Sequence, residues 1–275
     1  MSTRAACSRR CRGWPWPPDT LATGIKVPVG NKLTFALAPH IPFVRSGHDW
    51  AALHNDYERD TRIQVRDFLA PAAASSVTQA LAEGMPWRMY WMHGERAMNV
   101  PEADLQATPE IERAVLQRKL IEQARTSFQF SYFGCPMSPQ ALAELPPDHA
   151  LRGIAARMVS HEFLDAVKEL VGDTAVCGMN ANLTRYDTGQ FLRYHDDSGT
   201  HEPRVAAYVL NLSVDWAPDW GGLLNFVDAD RSIVKTFTPH YNSLVVFKVP
   251  QPHFVSHVAP FATRSRFAIT GWLIR

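Results

Sequence analysis

Tyr186-Asp-Thr-Gly-Gln-Phe-Leu-Arg-Tyr-His195-Asp-Asp197 closes on an imidazole and a carboxylate two positions apart. Along a β-strand, residues separated by two point the same way, so His195 and Asp197 can reach one ion. Two imidazoles and one carboxylate occupy one face of an octahedral ion and leave the opposite positions open. That donor set suits a ferrous centre that activates O2. The third ligand then has to come from a distant strand, because a sheet folded on itself brings remote segments together around its mouth. Pro252-His-Phe-Val-Ser-His-Val258 offers two imidazoles, His253 and His257. They differ by an even number of positions, so both can face the same side, and the one that does not ligate can serve as a hydrogen-bonding neighbour.

Further ordered segments surround these. Tyr186 and Gly189 precede the pair; Arg204-Val-Ala-Ala-Tyr-Val-Leu-Asn-Leu212 and Trp220-Gly-Gly-Leu-Leu224 follow it; Tyr241-Asn-Ser-Leu-Val-Val-Phe247 comes before the second histidine segment, and Arg266-Phe-Ala-Ile-Thr-Gly-Trp272 comes last. From about Asn180 to the C-terminus, this set resembles the 2-oxoglutarate and Fe(II)-dependent dioxygenases, in particular their prolyl-hydroxylase-like branch. His-x-Asp alone would carry almost no information, whereas the joint order of the parts is specific.

The resemblance implies a double-stranded β-helix (jelly-roll) core, mostly β with flanking helices. Its distal signature, roughly His-x-Val-x-x-Val, falls on His253 with Val255 and Val258, and puts His257 out of phase. His195, Asp197 and His253 are then the metal ligands and the catalytic set. The Arg-aromatic-Ala-Ile-x-Gly-Trp register falls on Arg266 rather than Arg264. A buried carboxylate of the cosubstrate needs a matched cation, and a guanidinium answers it with two parallel hydrogen bonds. Tyr186, nine positions before His195, stands where related enzymes place a tyrosine near the cosubstrate. Asn211 stands where several relatives carry a tyrosine that donates to the same carboxylate, and an amide can donate as well.

The implied cofactors are Fe(II), 2-oxoglutarate and O2, with ascorbate as a reductant. The implied chemistry is oxidative decarboxylation of 2-oxoglutarate to succinate and CO2, coupled to hydroxylation of a C–H bond. Because the motif spacing is nearest to that of prolyl hydroxylases, the expected target is a prolyl residue in a protein or peptide. The same chemistry on free proline or another small molecule is the alternative. A non-catalytic jelly-roll metal-binding module is a reading of another class, and Arg266 argues against it, since an apolar strand has little other use for that charge. Zinc also accepts two histidines and a carboxylate, but no separate general base stands at a clear position for hydrolysis.

The whole chain is compatible with this. Its 275 residues, 46% hydrophobic and 20% charged, have the composition of a globular protein able to bury a core. A formal charge of +1 gives no electrostatic reason to expect nucleic acid as a partner, and no apolar run is long enough for a membrane helix. Cys7, Cys11, Cys135 and Cys177 lack paired metal-site spacing and read as free thiols of a reducing cytosol, which favours a cytoplasmic location. Residues 1–30 are basic, with Trp14-Pro-Trp-Pro-Pro18 where an export signal needs an apolar run, and read as a disordered leader. Residues 31–174 form an N-terminal α/β support region, and 175–275 the oxygenase domain.

Within the support region, strands are expected over Ile63–Leu69, Met85–Trp91 and Phe128–Phe133. Helices are expected over Ala72–Ala82, Pro109–Ala124, Ser138–Leu145 and Leu151–Leu170, the last ended by Gly172. In Pro109–Ala124 the apolar positions Ile111, Ala114, Val115, Leu120 and Ile121 recur at helical spacing. Barrel strands are expected near 180–186, 191–194, 206–213, 223–227, 233–237, 243–249, 254–258 and 266–274. Trp87, Trp91, Tyr132 and Trp216 are candidate walls of a substrate cleft, with core packing as the commoner role for such rings. Tyr194 and Tyr208 are read as core or cleft aromatics, Asp196 as a solvated or orienting carboxylate, and His161 as a solvent-facing helix residue.

Overall fold

The alternation of the last third of the chain becomes a run of antiparallel strands, and helices from the first part cover one side of it. The computed structural model describes residues 41–81, 84–198 and 203–275. The basic leader over residues 1–30, with Cys7 and Cys11, lies outside the described residues. In chain order come α1 (Trp50–Asp60), β1 (Arg62–Val65), α2 (Pro71–Leu81), β2 (Arg88–His93), β3 (Arg96–Pro101), α3 (Glu102–Ala107), α4 (Glu110–Ala124), β4 (Phe130–Pro136), α5 (Pro139–Ala143), α6 (Ala150–Met158) and α7 (His161–Val171). Then follow β5 (Gly178–Met179), β6 (Asn182–Tyr186), β7 (Phe191–His195), β8 (Arg204–Asn211), β9 (Leu224–Val227), β10 (Ile233–Phe237), β11 (Ser243–Lys248), β12 (His253–Val255) and β13 (Arg266–Ile274).

Hydrogen bonding orders the strands β1-β11-β8-β13-β6-β4-β7-β12-β9-β10. Neighbours in the sheet are remote in sequence, as in a double-stranded β-helix. Arg62 of β1 lies 5.0 Å over the ring of Phe226 in β9, so the two ends of that order approach each other and the barrel nearly closes. Two of its strands come from before residue 175: β1 pairs with β11, and β4 sits between β6 and β7.

Alternation lets one strand serve two cores. In β8, β11 and β13, Tyr208, Leu210, Leu244, Val246, Ile269 and Leu273 pack toward the helices. Their neighbours Ala207, Val209, Val245, Phe247, Ala268 and Trp272 fill the barrel interior. A strand covered on both faces has to be apolar almost throughout, which is why Val205–Leu212 and Leu244–Phe247 read as continuous runs. Arg266, Ala268, Thr270 and Trp272 share the parity that faces inward. Gly271 faces the other way, and a Cβ there would fall on the carbonyl oxygen of Asn180. Only glycine fits that approach.

Helix α7 shows how the cover is held. It buries Phe163, Ala166, Val167, Leu170 and Val171, a stripe at i, i+3, i+4, i+7 and i+8. Burial of each large side chain is worth about 1.5–3 kcal/mol, against a few tenths for helix propensity, so packing decides this element. The Ser160 hydroxyl accepts from the N–H of Phe163, and Gly172 ends the helix at φ 65.

Several expectations need correction. The single helix over Leu151–Leu170 is two, because Ser160 interrupts it as a cap and starts α7. Strand β1 stops at Val65, ahead of a turn in which Asp67 takes φ 50. Helix α4 forms where expected, yet Leu120 is the residue it buries, and Ile111, Val115 and Ile121 are exposed. Helix α1 and strand β3 were not anticipated. The first buries only Tyr57, and the second is largely exposed and held by pairing with β2, so neither leaves a strong hydrophobic period.

Candidate metal centre

Strands β7 and β12 pair so that His195 and His253 stand opposite each other, with ring centroids 4.1 Å apart. Asp197 joins them: its carboxylate oxygens lie 3.3 Å from His195 Nε2 and 3.6 Å from His253 Nε2. With metal–ligand bonds of about 2.1 Å, donors on adjacent octahedral corners sit about 3 Å apart. One ion can therefore take all three, and the ligand atoms lie within 4.8 Å of one another. His257 is exposed and stacks on Phe191 at 6.0 Å, away from this group.

Each imidazole is oriented by a backbone carbonyl. His195 Nδ1 is 2.9 Å from the oxygen of Arg193, and His253 Nδ1 is 2.8 Å from that of Gln251. A carbonyl only accepts, so both Nδ1 atoms carry the proton and both Nε2 lone pairs point to the shared centre. Burial, and then His195 beside it, lowers the His253 imidazole to about 4. It is therefore neutral near pH 7 and takes a metal without first losing a proton.

The convergence of His195 and Asp197 does not follow from strand alternation. Strand β7 ends at His195, and Asp197 sits beyond it with φ 60, a left-handed backbone unusual for a residue with a side chain. Asp197 is 7% exposed. Burial alone would raise its pKa, but the two imidazoles facing it, His253 before His195, outweigh that and hold the carboxyl below the usual range.

A β-bulge does the remaining positioning. His253 pairs with His195 and Val255 with Leu192, so three residues of β7 span what two of β12 span. Leu192 and His195 consequently both line the cavity despite odd spacing. Tyr194 is turned out instead, 44% exposed, which overturns its reading as a core or cleft aromatic.

The cavity, of about 80 Å³, is walled by the three ligands together with Arg266, Tyr186, Tyr132, Thr184 and Trp272 among others. Arg266 is 2% exposed. No carboxylate pairs with it among the described residues, and its Nε finds no hydrogen-bond partner. Its nearest compensation is Asn211 Oδ1, 3.4 Å from Nη2, and the face of Tyr186, with Cζ 5.2 Å from the ring centroid. Burial pulls this guanidinium below its ordinary pKa. Asn211 stands behind Arg266, with its amide nitrogen directed at Ser243 and its oxygen at the guanidinium. Arg264 is exposed and lies 3.5 Å from Asp215.

Of the candidate wall residues, Tyr132 lines the cavity, its ring 5.4 Å from that of Tyr186. Trp87 lies outside it, under Arg185 and against Phe267. Trp216 donates to the carbonyl of Gly221. In the sequence, Trp272 and Arg204 stand only as parts of strands. Arg204 donates to the backbone oxygen of Asp197 at 3.2 Å and lies 3.8 Å over the Trp272 ring. Nothing in the spacing of the sequence marks that contact.

Residues 181–274 match the family described as the 2OG-Fe(II) oxygenase superfamily. This stretch, which carries His195, Asp197, His253 and Arg266 and most of the jelly-roll barrel, is thus similar to the 2-oxoglutarate/Fe(II) oxygenases. Among individual proteins, the chain is 36% identical over 101 residues to mouse (Mus musculus) prolyl 3-hydroxylase OGFOD1, covering 34% of this chain and 18% of that protein. The chain thus spans less than a fifth of that relative. A prolyl-4-hydroxylase from Pseudomonas putida shares the fold at TM-score 0.50 and 22% identity, over 82% of this chain and 98% of that one. A prolyl hydroxylase from Trichoplax adhaerens, solved with a hypoxia inducible factor oxygen degradation domain peptide fragment, aligns at TM-score 0.52 and 15% identity, over 83% and 94% of the two chains.

Proposed function

We propose that this protein is an Fe(II)- and 2-oxoglutarate-dependent dioxygenase that hydroxylates a prolyl residue of a protein or peptide. The observation that carries the reading is the fully buried Arg266, without a carboxylate partner among the described residues, in the same cavity as His195, Asp197 and His253. A buried unpaired cation is costly, and a dicarboxylate held between it and a metal would remove that cost. The donor set fits iron: two imidazoles and one carboxylate, with the other coordination positions left to small ligands.

When bound, Fe(II) supplies the activation of O2 and the oxidation of the C–H bond, while 2-oxoglutarate supplies two electrons by decarboxylation to succinate. The chain's own side chains do the rest. His195, Asp197 and His253 would hold the ion. Arg266 would receive the far carboxylate of the cosubstrate, a guanidinium being suited to two parallel hydrogen bonds, and Tyr186 and Asn211 hold Arg266 in place, one through its ring face and one through its amide oxygen. Tyr132, Leu192, Phe247 and Val255 line the same cavity and limit water around the reacting groups. The prolyl target is supported by the names of the mouse, bacterial and Trichoplax relatives.

The test is an anaerobic titration of the full chain with Fe(II) and 2-oxoglutarate, read by the weak visible charge-transfer band of the chelate. The band is expected in the wild type and not in His195→Ala with Asp197→Ala. No band in the wild type, or an unchanged band in the double variant, overturns the reading. Succinate formation is then compared with free proline, proline-rich peptides and proteins, and stimulation by free proline alone refutes the protein target.

A further inference from the structure

We propose that Ser243 and Gln64 are positioning residues that fix which end of the Asn211 amide faces Arg266, and thereby set the preference of the site for a 2-oxo diacid over a 2-oxo acid with one carboxylate. The inference rests on the reading of Arg266 above and concerns the groups behind it. An asparagine amide offers a donor at one end and an acceptor at the other, while a guanidinium only donates. Oxygen toward Arg266 holds the cation in place; nitrogen toward it would set donor against donor.

Strand register decides which end it is. Ser243 of β11 stands opposite Asn211 of β8, with the barrel-facing parity of Val245 and Val209. The Ser243 hydroxyl donates to the backbone oxygen of His240 at 2.7 Å, which commits its hydrogen. Its oxygen then accepts from Gln64 Nε2 at 3.1 Å and from Asn211 Nδ2 at 3.3 Å. The Ser243 carbonyl, 3.4 Å from the same Asn211 nitrogen, is an acceptor too. Gln64 is held by a second donation, to the oxygen of Thr238 at 2.8 Å. Two acceptors therefore face Asn211 on the side of β11, and its Oδ1 is left for Arg266 Nη2 at 3.4 Å. Asn211 and Ser243 are 2% and 0% exposed, so an inverted amide would find no water to replace the bonds it lost. Arg266 lines the cavity, whereas Asn211, Ser243 and Gln64 are not among the side chains that line it and act from behind. Gln64 belongs to β1, so a strand from before residue 175 helps to aim a cation supplied by β13.

The experiment loads the full chain with Mn(II) and titrates it with 2-oxoglutarate and with 2-oxopentanoate, which has the same keto-acid end and chain length but no second carboxylate. Binding of either is read from the relaxation of water protons as the ligand displaces water from the ion. The wild type should prefer the diacid. Ser243→Ala should weaken 2-oxoglutarate about 3–10-fold and Asn211→Leu about 10–100-fold, with 2-oxopentanoate within about twofold of the wild type in both. A merely structural loss would weaken the two acids together. The double variant should lose no more than Asn211→Leu alone, since Ser243 acts through Asn211. Diacid binding within about twofold of the wild type in Ser243→Ala, equal losses for the two acids, or losses that multiply in the double variant overturn the proposal. Should Asn211→Leu not fold, Ser243→Ala and Gln64→Leu decide it by the ratio of the two affinities. If the wild type binds no Mn(II) or does not prefer the diacid, the reading of the site fails and takes the proposal with it; if it prefers the diacid and the variants match it, the proposal alone fails.

Discussion

Replacing Arg266 by methionine should stabilise the ligand-free protein while abolishing its response to 2-oxoglutarate. The guanidinium is 2% exposed, its Nε lacks an acceptor, and the contact to Asn211 is long at 3.4 Å. An ion buried this way carries a penalty of several kcal/mol, and exchanging buried charges for well-packed apolar side chains commonly gains about 1–4 kcal/mol. For a chain of this size each kcal/mol moves the melting temperature by roughly 2–4 °C. The variant should therefore melt roughly 2–16 °C higher than the wild type without ligands. Two hydrogen bonds to charged partners, at about 1.5–3 kcal/mol each, are lost toward the cosubstrate. That is roughly 10²- to 10⁴-fold in affinity. Thermal melts with Mn(II), with and without 2-oxoglutarate, read both effects. At a ligand concentration about 100 times Kd the wild type should gain about 2.7 kcal/mol, and the variant nothing measurable. A variant that is less stable than the wild type without ligands, or that keeps its 2-oxoglutarate shift, refutes the argument that this cation waits for an anion.

Two further outcomes follow from packing. Gly271→Ala drives a methyl into the carbonyl of Asn180, where backbone rather than a flexible side chain would have to yield; a loss of about 3 kcal/mol or more is expected, and denaturant midpoints unchanged from the wild type would contradict it. Ser160→Ala removes the hydroxyl that accepts from Phe163 N–H and should cost about 1 kcal/mol, with Mn(II) affinity unaltered because α7 touches the site only through the outer core; a change in affinity would contradict that separation.

The candidate site was legible in the sequence to an unusual degree because its parts follow one another in the order of the family they resemble. His195, Asp197, His253 and Arg266 could be named from the motif register of the family the segments resemble, and the structure brings all four to one cavity. The barrel strands were readable for the same reason: apolar runs such as Val205–Leu212 and Leu244–Phe247 are what two-sided burial demands. Readability fell where burial fell. Helix α1 and strand β3 expose most of their length, and α4 keeps a helical period without a core to bury it in, so periodicity misled in both directions.

What the linear chain determined by itself is therefore the inventory: which residues can ligate, which cation can meet an acid, and which segments must be strands, all set by side-chain chemistry and period. What the tertiary structure alone decided is aim. The bulge in β7 puts Leu192 and His195 on one side and turns Tyr194 to solvent, Asp197 takes a left-handed backbone to reach both imidazoles, and Arg204 holds its backbone oxygen while lying over the Trp272 ring. Those features depend on pairing between strands far apart in sequence. A local pattern carries no record of such pairing, because a one-residue slip of register reverses every side chain while leaving the residues themselves unchanged.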